Sequence, residues 1–159
     1  MASFDYSIAG ISAEDQQELI TLLSDRLHTL LDLQLTLKHA HWNVVGPQFI
    51  AVHELLDPQA AAAAAAVDVI AERIATLGGV PTGTPEAIAK GRDGGEYDLG
   101  RADTQDHLKE LDRVYSVAIG GHRAAAAKAD ELDPITNGIL EAQLEELEQN
   151  QWFLRAHLG

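Results

Sequence analysis

Leucine recurs at helical spacing early in the chain, with Leu19, Leu23, Leu27, Leu30 and Leu31 falling on one face. Ser12, followed by Glu14 and Asp15, reads as an N-cap with acids in the first turn. A first helix is therefore predicted from Ser12 to His41 or just beyond, where Gly46-Pro47 breaks it. With Pro47 at the first helical position, a second helix is predicted through "QFIAVHELLD" and "VDVIAERIATL" to a stop at Gly78-Gly79. Pro58 interrupts that pattern. A proline inside a helix removes one backbone bond and costs about 3 kcal/mol, so Pro58 is the main threat to a single second helix.

Between Gly78 and Gly100 glycines and prolines are dense, which predicts a long connection holding one short helix. A third helix is expected near Asp103, with Leu108, Leu111 and Tyr115 on one face. A fourth is expected near Asp133-Pro134, with Leu140, Leu144, Leu147, Leu154 and Leu158 inward. No convincing strand is found. Two short connections and one long central crossover match a ferritin-like four-helix bundle, all-α, better than a simple up-and-down bundle. Trp42 and Trp152 read as core aromatics, and His28, His107, His122 and His157 as surface or satisfied core residues. At 159 residues the chain has the length of a single domain, 1–159, able to bury a proper core. The run Ala60 to Ala66 favours helix but offers no large side chain. It reads either as natural low complexity or as a segment whose larger side chains were removed by engineering or left unidentified.

Charge and composition narrow the chemistry. Eleven basic against 25 acidic residues give a formal charge of −14, the wrong sign for gripping phosphates through the general surface. Cysteine is absent, so any metal must be held by nitrogen and oxygen, which points to iron, manganese or zinc. Neither a basic-then-apolar leader nor a membrane-length apolar span is found, so a cytoplasmic protein is expected.

His53 and Asp57 stand four apart, as do Asp68 and Glu72, so each pair projects from one face of the second helix. A lone pair of this kind is usually a solvated face. Two tandem pairs, with His41 just across the Gly-Pro turn, make a stronger case. Asp68 lies eleven positions after Asp57, roughly 16 Å along a helix. The two pairs on one straight helix cannot share a metal ion. Antiparallel copies related by a two-fold axis would bring the first half of one subunit beside the second half of another. His39 points to another side of its helix than His41, so only one of the two can be a ligand, and spacing does not choose between them. No Glu-x-x-His, the motif of di-iron sites inside a single bundle, is present.

The segments "LTLKHAHWNVVGPQFIAVHELLDPQ", "AERIATLGG" and "QWFLRAHL" resemble the Dps family (DNA-binding protein from starved cells), the mini-ferritins, and most closely its actinobacterial, mycobacterial-type members. The resemblance covers nearly the whole chain, and the family's ligand pattern H-x11-H-x3-D-x10-D-x3-E falls on His41, His53, Asp57, Asp68 and Glu72. It implies a hollow dodecamer whose inter-subunit ferroxidase centres oxidise Fe(II), preferentially with hydrogen peroxide, and store Fe(III) mineral, protecting against oxidative damage. It implies that Lys38 pairs with Asp57 beside the iron and that Trp42 flanks the centre, where it can intercept a stray oxidising equivalent. It also implies that Asp133 lines a three-fold pore, where Gly138 replaces a frequent second acid. Family members that bind DNA use basic tails, whereas the first basic residue here is Arg26. Strong DNA binding and nucleoid association are not expected of this chain unless a native tail is missing. The competing readings are a DNA-compacting architectural protein and a redesigned cage scaffold with an idle metal site.

Overall fold

The computed structural model describes residues 6–159. Four long helices form the bundle: α1 (Ala13–Asn43), α2 (Phe49–Thr76), α4 (Thr104–Leu132) and α5 (Pro134–Leu158), with a short α3 (Pro85–Gly91) inside the long crossover. Helix α1 packs chiefly on α2, and α4 on α5, while α1 also meets α4 across the bundle. Ser12 caps α1 by accepting from the Asp15 amide at 3.1 Å. Its leucine stripe, Leu19, Leu23, Leu27, Leu30, Leu33 and Leu37, is buried, with Leu31 half-exposed beside it. The expected inward faces of the last two helices hold as well, except that Leu158 only borders the core.

Three expectations change. Helix α2 begins at Phe49 rather than at Pro47, because Gly46 first makes a tight turn in which its carbonyl receives the Phe49 amide at 3.0 Å. Gly46 has φ 115°, and an added Cβ would lie 2.5 Å from Oδ2 of Asp103, so only glycine suits this corner. The turn also carries a minimal parallel pairing where no strand is expected: β1 (Val44–Val45) lies beside β2 (Ala102–Asp103), tying the end of α1 to the start of α4. Pro58 does not break α2. Pro58 and Glu54, whose carbonyl loses its amide partner, both face outward, so water can replace the missing bond.

Helix α2 ends in a Schellman arrangement, with Gly78 at φ 81° and the Gly79 amide returning to the Ile74 carbonyl at 2.9 Å. The alanine run is continuous helix whose faces differ: Ala60 and Ala63 are buried, whereas Ala61 and Ala65 are exposed. Both tryptophans depart from the core role, Trp42 being 70% and Trp152 61% exposed. Each stands on the outer face of its helix, one position past buried His41 and Gln151 respectively. His107 and His122 are fully buried.

Candidate metal centre

The α1–turn–α2 corner brings His41 and His53 together. Their rings stack with centroids 3.7 Å apart and planes within 18°. Nδ1–H of His41 donates to the His53 carbonyl and Nδ1–H of His53 donates to the His41 carbonyl, each at 2.8 Å. Carbonyls only accept, so each Nδ1 carries the proton and each Nε2 presents a lone pair. A metal-binding histidine needs this arrangement, because the outer hydrogen bond sets both tautomer and ring direction. The Phe49 ring, 4.9 Å from that of His53, supports it on one side.

One helical turn further along, Asp57 receives Lys38 Nζ at 2.6 Å, and its carboxylate lies 3.5 Å from Nδ1 of His41. The Lys38 hydrogen bond, aided by the histidines, holds the Asp57 carboxyl below its ordinary range, so it is ionised at neutral pH. Lys38 Nζ also stands 5.7 Å from the Trp42 ring centroid, which puts that exposed indole at the edge of the same site.

The structure separates the two neighbouring histidines. His39 bonds through Nε2 to the Leu99 carbonyl at 2.7 Å and packs edge-on against Tyr97, so it is committed to the crossover. His41 alone joins His53. Asp68 and Glu72 are exposed on the far part of α2, away from this cluster. Among the described residues no three histidine, aspartate or glutamate side chains are set to hold a metal within one subunit. The five residues thus remain in two groups.

Asp133, expected at a pore, is buried and occupied. Its carboxylate caps α5 through the Thr136 amide at 2.8 Å, accepts the Thr136 hydroxyl at 2.5 Å, and pairs with Arg73 at 2.6 Å. Burial would raise its pKa, but the Thr136 and Arg73 contacts outweigh this and hold it below 3.8. The reciprocal histidine–carbonyl locks and the Phe49 support have no sequence signal, since a backbone carbonyl is anonymous until the hairpin closes.

The ferritin-like domain family matches residues 20–159. The chain is 47% identical to the DNA protection during starvation protein of Mycolicibacterium smegmatis, over 96% of this chain and 84% of that one. It is 48% identical to the fine tangled pili major subunit of Haemophilus ducreyi, over 97% and 82%. The solved structure of DpsA14 from Streptomyces coelicolor superposes with a TM-score of 0.94 at 52% identity, covering 97% of this chain and 92% of that one. The fold is thus that of a ferritin-like bundle. The chain belongs to the Dps family. Among the described residues no helix is long and apolar enough to cross a membrane.

Proposed function

We propose that the protein is a ferroxidase and iron-storage subunit of a dodecameric cytoplasmic cage, which oxidises Fe(II) with hydrogen peroxide and keeps the Fe(III) as mineral. The observation that carries this reading is the pair of locked imidazoles, whose Nε2 lone pairs stand ready beside an ionised carboxylate. His41, His53 and Asp57 of one subunit bind Fe(II) as substrate, and Asp68 and Glu72 of a neighbouring subunit complete the site. Lys38 neutralises Asp57 until the incoming cation replaces it. Each of two Fe(II) ions gives one electron to a peroxide molecule. Its O–O bond breaks, two protons are taken up, and two waters leave. A sparse nitrogen and oxygen set leaves coordination positions where peroxide can enter.

One relative's name speaks of DNA protection, but the formal charge of −14 opposes DNA compaction by this chain. The test is anaerobic Fe(II) loading followed by peroxide, with ferric absorbance and assembly size measured in the same samples. Rapid oxidation by a cage is expected, slowed about tenfold or more in Asp68→Ala, Glu72→Ala. Oxidation no faster than in buffer would sink the proposal.

A further inference from the structure

Tyr97 lies in the crossover, against α1 and α4. Arg113 steadies this loop, donating through Nη1 to the Gly94 carbonyl at 2.9 Å while Nε pairs with Glu110 at 2.7 Å. The Tyr97 hydroxyl stands 2.7 Å from Nδ1 of His107, with the two rings nearly parallel. His107 is fully buried, and among the described residues its Nε2 has no hydrogen-bond partner. The ring also faces the backbone carbonyls of Gly100 and Asn43, which can only accept. With the imidazole proton on Nε2, Nδ1 accepts from the phenol. Burial lowers the His107 pKa, so the ring is a neutral base at pH 7. Burial raises that of Tyr97, so the phenol keeps its proton until something removes it.

A phenol loses an electron easily only if its proton leaves with it, because the radical cation is a strong acid. A base positioned within hydrogen-bond reach supplies that exit. Tyr115 offers the internal contrast: it is buried in the core, where Tyr97 is only half-buried, and it donates to Oε1 of Gln59 at 2.9 Å, an amide oxygen too weakly basic to take a proton. We propose that Tyr97 and His107 form a redox pair that absorbs single oxidising equivalents. An oxidant of the hydroxyl-radical class, formed when Fe(II) reduces peroxide by one electron, takes one electron from Tyr97. The phenolic O–H bond breaks, the proton passes to Nδ1 of His107, and the oxidant leaves as hydroxide. A neutral tyrosyl radical and an imidazolium remain.

The location suits that source. His39 packs edge-on against Tyr97 with centroids 5.7 Å apart, and its α-carbon is about 5.4 Å from that of His41 on helical geometry. The pair rests on the proposed iron oxidation only for the origin of the oxidant, so one arm of the test uses no iron. In that arm a photogenerated tris-bipyridine Ru(III) complex oxidises the iron-free protein, and the radical is trapped and read by electron paramagnetic resonance. In a Tyr6→Phe background, which removes the exposed tyrosine, the expected tyrosyl signal disappears in Tyr97→Phe, persists in Tyr115→Phe, and drops at least about tenfold in His107→Gln, whose amide accepts the hydrogen bond but not the proton. Circular dichroism verifies that each variant is folded, and Tyr97→Phe preserves the ring packing. A signal that survives Tyr97→Phe, or equal yield in His107→Gln, overturns the pair. In the second arm, Fe(II) and peroxide are mixed and freeze-quenched. The same Tyr97-dependent radical is expected, and its absence while ferric absorbance rises overturns the link to iron. If ferric absorbance does not rise, the proposed function has failed, and the photochemical arm still decides the pair.

Discussion

The two ends of α2 treat their candidate ligands in opposite ways. At the N-terminal end His53 is locked to α1 through reciprocal carbonyl bonds and stacked on buried His41, while Asp57 is held by Lys38. Toward the C-terminal end Asp68 and Glu72 stand on an exposed face. The residue that is held firmly there is Arg73, next in sequence to Glu72, which reaches Asp133 and Thr136 on α5. One end sets its candidate ligands within the subunit, and the other anchors the helix while leaving its acids outward. Pre-set imidazoles with outward acids are what a site completed by a second copy requires, since only one half has to be shaped before assembly.

Complementation tests the difference between the two ends of α2 most directly. His53→Ala alone is expected to lower peroxide-dependent iron oxidation by about 10–100-fold. Co-assembly of that variant with Asp68→Ala, Glu72→Ala subunits should restore about a quarter of the centres, because each mixed two-fold pair rebuilds one intact site. Ferric absorbance per subunit reads the recovery, and none at all would place the chemistry inside one chain.

Next in size is the anchor. Asp133→Ala strands a buried guanidinium and removes the α5 cap, at an expected cost of about 3–5 kcal/mol by chemical denaturation. The pH dependence has a definite sign. The folded-state pKa of Asp133 is depressed below 3.8, so its stabilisation is complete above that value and is lost as pH falls through the lower folded value. The gap between wild type and variant should therefore narrow on acidification below about pH 4.

The smallest effects concern the alanine run between the two ends. Ala63 is buried against the other helices, and Ala63→Leu is expected to destabilise the fold by about 1–3 kcal/mol through overpacking. Ala61 is exposed, and Ala61→Gln should change folding stability by less than about 0.5 kcal/mol. A large penalty at both positions would show that the run packs on every side.

Much of this molecule is legible before it folds. Ser12, Asp103 and Asp133 announce their helices, because capping is a bargain between a side chain and amides two or three residues away. Pro58 misleads, since proline's cost depends on whether the freed carbonyl can reach water, and that depends on which way α2 faces. Trp42 and Trp152 mislead for a related reason: hydrophobicity argues for burial, but the leucine faces of α1 and α5 already fill the core and leave both indoles outside.

Residue order alone carries the helical periods, their caps, the absence of thiolate chemistry and the two carboxylate-bearing candidate pairs, roughly 16 Å apart. All of these follow from contacts within one or two turns or from residue type alone. Packing of the helices is what sets His41 rather than His39 on His53, Arg73 on Asp133, and a buried base beside Tyr97. Each of those depends on a hydrogen bond between segments 10 to 60 residues apart, whose partner comes within reach only when the helices pack.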